Sequence, residues 1–186
     1  MARERPNDDA KCGDAMNFDV RPMALHETDL IIDYFHGAPP EHLEKLGVDP
    51  TRLPAVDAWR KRYELEYSRP IEHRTTFMVI WQEGGCPIGF STTDKIVFGK
   101  SAYMHLHIVD SNRRAQGAGA QCVRKSIDIY FECLKLKSLF CEPNAFNVAP
   151  NRTLQRAGFK YLKTHQTVPG PLNFHQPVNR WAIERD

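Results

Sequence analysis

The chain has 186 residues, 41% of them hydrophobic, and a formal net charge of +2. It is long enough to bury a core of its own and too evenly charged to favour nucleic acid as a partner. No apolar run approaches a membrane span, and Met1 to Ala10 lacks the apolar core of a secretory signal, so a cytoplasmic protein is expected. The five cysteines (Cys12, Cys86, Cys122, Cys133 and Cys141) are odd in number and sit at no metal-ligand spacing, which suits reduced thiols.

Residues 1–16 are polar and are expected to be disordered, ahead of a single domain over 17–186. Phe18, Val20 and Met23 suggest a first strand. His26 to Asp29 offers capping residues for a short helix through Leu30, Ile31, Tyr34 and Phe35, stopped at Gly37. Pro39 to Pro54 reads as a loop with one helical turn around Glu41 to Leu46. Pro54 then opens a helix carrying Val56, Trp59, Tyr63 and Tyr67 on one side, and Pro70 closes it.

From Thr76 the apolar period changes to two. Phe77 to Trp81 and Pro87 to Phe98 read as strands about a Glu83-Gly84-Gly85 turn, and a third strand ends at Val109. An amphipathic helix follows, with Val123, Ile127, Tyr130, Phe131 and Leu134 at helical spacing. Ser138 to Cys141 is a short strand and Val148 to Arg156 a short helix stopped at Gly158. Phe159 to Thr167 and Val178 to Glu184 pair across the irregular loop Val168 to Gln176.

The segment Val109 to Ala120 joins a strand to a helix through a Gly-rich turn. Gly117 and Gly119 keep side chains off that turn, so Gln116, Gly117, Ala118, Gly119 and Ala120 can aim N–H groups at one anion, most naturally a phosphate. No Gly-Lys-Ser/Thr ending supports a mononucleotide loop. The dinucleotide fingerprint needs a third glycine and an earlier place in the chain. Arg113 or Arg114 can add a charge-assisted contact.

Arg114-x-x-Gly117-x-Gly119 resembles the pyrophosphate signature of the GNAT superfamily of acyl-CoA N-acyltransferases. Glu142 to Asn147, running on to Leu154-Gln155-Arg156-Ala157-Gly158-Phe159, resembles that family's later segment. The nearest likeness is to ribosomal-protein N-terminal acetyltransferases and aminoglycoside 6′-N-acetyltransferases. The resemblance implies an α/β (α+β) GNAT fold: a mixed, mostly antiparallel seven-stranded sheet, splayed at its centre and flanked by about four helices. It implies an N-acetyltransferase that moves an acetyl group from acetyl-CoA to a primary amine by direct attack, with no metal. The acceptor would be an amine-bearing small molecule or a peptide N-terminus, with no nucleic acid or membrane partner; pairing into a homodimer is left open.

The same resemblance implies roles for individual residues. Arg114 and Gln116 to Ala120 would hold the pyrophosphate, and Ile108, Val109 and Asn147 the pantetheine arm. The Val109 N–H would polarise the thioester carbonyl. Glu142 would assist deprotonation of the amine, which at pH 7 costs about 1.4 kcal/mol for an α-amino group and about 4.6 kcal/mol for a lysine. Two family features are missing. Tyr103 stands where a second base is common, and Leu154 where a Tyr often reprotonates the leaving sulfur. An acyl-CoA-binding regulatory protein without catalysis therefore stays open, as does a nucleotide-phosphate binder. His105 and His107 lie two apart on one strand and so share a face, where they suit a substrate contact better than a metal. His165 and His175 flank the irregular loop, and Tyr34 and His36 are candidates for the acceptor side.

Overall fold

A computed structural model describes residues 18–109 and 117–185. The chain runs β1 (Phe18–Pro22), α1 (Asp29–His36), α2 (Pro40–Leu46), α3 (Val56–Ser68), β2 (Phe77–Glu83), β3 (Cys86–Val97) and β4 (Ser101–Ile108). It continues through α4 (Ala118–Leu134), β5 (Ser138–Cys141), α5 (Val148–Ala157), β6 (Lys160–Thr167) and β7 (Gln176–Glu184). The seven strands form one sheet in the order β1-β2-β3-β4-β5-β7-β6. Every neighbouring pair is antiparallel except β4 with β5.

Among the described residues five α-helices flank the sheet, one more than expected. The addition is α2, read from the sequence as a single turn. Pro40 starts it, Leu43 is buried, and Gly47 ends it in the left-handed conformation at φ 69°, so a seven-residue helix closes. The remaining elements fall within a few residues of their expected places. The β2–β3 hairpin turns on Gly84 and Gly85, at φ 57° and 79°, the backbone that a two-residue hairpin with the sheet's twist requires.

Strand alternation divides the interior in two. Ala102 and Met104 of β4 and Leu139 and Cys141 of β5 face α4 and α5, where Val123, Ile127, Tyr130 and Leu154 complete one core. Two polar pairs are buried in this core: the Trp81 indole N–H donates to Ser126 Oγ at 2.8 Å, and Ser91 Oγ lies 2.7 Å from the Tyr130 hydroxyl. The opposite face carries Ile80 and Phe90 against Ile31, Ile32 and Phe35 of α1 and Trp59 and Tyr63 of α3.

The parallel ladder is short. It runs from Ser101↔Ser138 to Met104↔Cys141 and stops, although β4 continues to Ile108. The cause lies just past β5. Pro143 has no N–H to give the ladder. Its carbonyl instead accepts from the Asn179 N–H at 3.1 Å, and Asn144 bridges Val178, so the chain peels away toward β7. The sheet parts there, beside the start of α4.

Leu154 is wholly buried between α5 and the sheet. Leu154→Ala is expected to cost about 2–5 kcal/mol, the range for emptying such a site. Urea unfolding of the two proteins checks it.

Candidate active site

Gly117, at φ 83° in the left-handed region, turns the chain into α4. The N–H groups of Ala118, Gly119 and Ala120 follow in the first turn, where a helix offers no carbonyl partner of its own. These donors, with the partial positive charge of the helix end, fit a pyrophosphate. Arg113, Arg114 and Gln116 lie outside the described residues. Gly119 has a different reason to be glycine than the one expected. A Cβ there would sit 3.2 Å from Ile108 Cδ1 and 3.5 Å from Thr153 Cγ2, so its smallness lets α4 close onto β4 and α5. At Gly117 an added Cβ would meet nothing within 4 Å.

The expectation for Val109 needs correction. Its N–H donates to the Ile88 carbonyl at 2.9 Å across the β3–β4 ladder, so it is not aimed at the opening. In an antiparallel strand the main-chain groups alternate sides. The groups facing the parted edge are therefore those of Leu106 and Ile108, one residue away from the expected position.

On the other side of the opening, Glu142 follows β5 directly with its side chain only 2% exposed. Arg180 Nε of β7 donates to Glu142 Oε1 at 2.6 Å, and His165 Nε2 of β6 lies 3.2 Å from the same oxygen. Asn147 begins α5, and its side-chain amide donates to the Lys45 carbonyl at 3.2 Å, tying α2 to the opening. The turn between them is held by Asn151, which the sequence reading did not single out. Its Nδ2 donates to the Asn144 and Asn147 carbonyls, and its Oδ1 accepts from Asn179 Nδ2 and Trp181 Nε1.

Glu142, Asn144 and Asn147 line a cavity of about 650 Å³, within the range of small-molecule sites. Thr92, Asp94, His105 and His107 of β3 and β4 form its floor, and Trp59, Tyr63 and Glu66 of α3 a wall. A strap over Pro169 to Asn173 roofs it. The strap is fixed on both sides: Lys95 Nζ donates to the Pro169 carbonyl at 2.7 Å, the Asp49 N–H to the Leu172 carbonyl at 2.8 Å, and Asn173 Nδ2 to the Gly47 carbonyl at 3.0 Å. Of the expected acceptor-side residues, His36 is turned away onto the Pro54 carbonyl, and Tyr34 backs the floor against the His107 ring. His175 is exposed. Asp94, Lys95 and Arg180 were missed, although Thr92 and Asp94 alternate along β3 as His105 and His107 do along β4. Leu154, at the position where the family often carries Tyr, is core.

The sequence profile of the acetyltransferase (GNAT) family matches residues 41–159. The chain belongs to this family. It is an acyl-CoA-dependent N-acetyltransferase with acetyl-CoA as its co-substrate. No curated protein sequence matches it. Among solved structures, the acetyltransferase is similar to aminoglycoside acetyltransferase AAC(6')-Ib in complex with coenzyme A, at 16% identity and a TM-score of 0.68, covering 91% of this chain and 95% of that one. Spermidine N-acetyltransferase from Vibrio cholerae, in complex with CoA and spermine, superposes with a TM-score of 0.71 at 14% identity, over 90% and 95% of the two chains. Ribosomal-protein-S5-alanine acetyltransferase from Vibrio fischeri gives 0.69 at 16%, over 91% and 93%. At these identities the likeness establishes the fold. Among the described residues, no group of three or more His, Cys, Asp or Glu could hold a metal, and no helix is long and apolar enough to cross a membrane.

The His107 ring packs against Tyr34, Phe35 and Phe90, and the residue borders the cavity. Burial first, then the nearby His105 and His42, lowers its pKa from 6.5 to about 3. Between those values the unfolded chain binds the extra proton, so stability falls as pH drops from 6.5 toward 3. Relative to His107→Gln, the unmodified acetyltransferase is expected to lose about 2 kcal/mol between pH 7 and pH 5. Denaturant unfolding at both pH values measures the difference.

Proposed function

We propose that the acetyltransferase passes the acetyl group from acetyl-CoA directly to a primary amine whose body lies in the cavity beneath the strap. The observation that carries this reading is that Glu142 and Asn147 line the cavity just past the last pair of the β4–β5 ladder. A donor whose pyrophosphate rests on the first turn of α4 can run its pantetheine arm past Ile108 and along the open edge of β4. The thioester then meets the acceptor at the mouth of the cavity. Asn147, Gly117 to Ala120 and, beyond the described residues, Arg114 and Gln116 are assigned to this cofactor half.

Glu142 is assigned to deprotonation. It lines the cavity at the end where the amine arrives, and its buried carboxylate is oriented by Arg180 and His165. The developing negative charge on the thioester oxygen falls to the β4 edge at Leu106 rather than to Val109, whose N–H is taken. An acyl-enzyme route would need a thiolate near the opening. Cys141 is the cysteine there, and burial, reinforced by the charge of Glu142, pushes its thiol well above the usual range. It stays protonated and is a poor nucleophile, which favours direct attack.

Similar folds have been solved with amines in place: kanamycin in the aminoglycoside acetyltransferase and spermine in the spermidine acetyltransferase. A primary amine on a small polar body is the acceptor class that this cavity suits.

Initial rates with acetyl-CoA and an amine varied together are expected to give intersecting lines, and Cys141→Ala to keep turnover within a few-fold. Parallel lines with loss of turnover in that variant would instead require an acyl-enzyme. Glu142→Gln is expected to lower turnover at pH 7 by about a hundred- to ten-thousand-fold, with coenzyme A affinity little changed. Because that variant strips Arg180 of its counter-charge, rates are compared well below the Tm of each protein. Near-normal turnover would remove Glu142 from the chemistry.

A further inference from the structure

His105 and Glu142 flank the point where the sheet parts. Met104↔Cys141 is the last pair of the β4–β5 ladder, so His105 and Glu142 are the next residues on the two sides. Met104 and Cys141 belong to the α4–α5 core, and alternation turns His105 and Glu142 to the other face, where both line the cavity. Tyr103 and Phe140, one pair before, share that face with their rings 5.2 Å apart. Glu142 is held from β6 and β7 by His165 and Arg180, which leaves the β4 side of the acceptor to His105.

His105 is itself held in place. Asp94 Oδ1 lies 3.2 Å from His105 Nε2, and neither atom has a hydrogen-bond partner elsewhere among the described residues. Lys95 does not compete for the carboxylate beside it. Its ammonium donates to the Pro169 carbonyl and covers the Tyr103 ring at 4.7 Å. The strap presses on the imidazole: a Cβ at Gly170 would stand 3.2 Å from His105 Cε1, so glycine lets the roof close over the ring. A carboxylate against Nε2 favours the tautomer with its proton there. Nδ1 then carries the free lone pair, in a residue that lines the cavity.

The transfer has two protons to place, and Glu142 accounts for one. An ammonium gives its first proton to Glu142 and attacks the thioester as the free amine. The C–N bond forms, and the adduct holds a surplus proton on nitrogen. Amines, with pKa values of about 8 to 10.4, and a thiol, at about 8.5, are similar in acidity, so this adduct sheds either group with comparable ease. Removing the nitrogen proton closes the way back, and a proton on sulfur eases the way out. We infer that His105, positioned by Asp94, does both: Nδ1 takes the surplus proton from nitrogen and gives it to sulfur as the C–S bond breaks. Nitrogen and sulfur share one carbon in the adduct, so a single ring nitrogen can serve them in turn. The products are the amide and the free thiol of coenzyme A, and Glu142 releases the first proton to solvent. This deepens the proposed function and rests on its direct transfer to an amine beside Glu142.

The test compares two donors, acetyl-CoA and acetyl selenocoenzyme A, in which selenium replaces the thioester sulfur. A selenolate is a far weaker base than a thiolate and leaves without a proton, so the second transfer matters less. With acetyl-CoA, His105→Gln is expected to lower turnover at pH 7 by about a hundredfold or more, with coenzyme A affinity unchanged. With the selenoester that loss is expected to shrink by about tenfold or more. Asp94→Asn, which removes the charge that fixes the tautomer, is expected to show the same donor-dependent loss. Glu142→Gln is expected to lose the same factor with both donors, because Glu142 acts before attack. Near-normal turnover of His105→Gln, a loss equal for the two donors, or a donor-dependent loss confined to Glu142→Gln would each overturn the assignment. If His105→Gln does not fold, the donor dependence of Asp94→Asn decides alone. Failure of the underlying transfer reads differently: the unmodified protein forms no amide from either donor, and the role of His105 falls with it.

Discussion

The short parallel ladder between β4 and β5 is the constraint on which the rest of this molecule depends. Met104↔Cys141 is its last pair, and Pro143, two residues on, cannot donate to it. The bond from the Asn179 N–H to the Pro143 carbonyl draws the chain to β7 instead, so the break is built in rather than frayed. A break inside a sheet exposes main-chain groups that would otherwise be paired, which is costly unless a ligand or water uses them. An extended arm with amide groups, such as pantetheine, has the matching donors and acceptors. The helix that begins beside the break adds its own unpaired N–H groups for a phosphate.

The two faces of the sheet divide the work. The α4–α5 face is apolar and closely packed, with two buried polar pairs at Trp81–Ser126 and Ser91–Tyr130. It packs the elements proposed to hold the cofactor, and Gly119 lets α4 approach Ile108 closely. The α1–α3 face is apolar under α1 but carries Thr92, Asp94, His105 and His107 along the cavity floor. The strap then ties that face to α2 and β3 through Asn173 and Lys95, which makes the roof a fixed wall.

Much of this was legible in the sequence because local signals and the tertiary fold agree. Ser138 to Cys141 reads as a short apolar run and became β5 with those bounds. The α2 helix was under-read because a helix of that length draws its stability from Leu43 and the Gly47 stop rather than from a visible period. The Val109 assignment failed by one residue because it depends on register. Gly89↔Ile108 fixes which main-chain groups face the opening, and register is not written in one strand. Glu142 was singled out in the sequence, but not its partner Arg180, which lies 38 residues along the chain. Asp94 was passed over because a polar residue within a strand looks like ordinary alternation until its neighbours across the sheet are known.

The most direct measurement of the central claim is amide hydrogen exchange with and without coenzyme A. If the parted edge and the start of α4 together hold the donor, coenzyme A slows exchange at Leu106 and at Ala118, Gly119 and Ala120. The Val109 amide, already bonded to Ile88, changes little. Protection that leaves Leu106 and the first turn of α4 untouched, or that centres on Val109, would contradict the account.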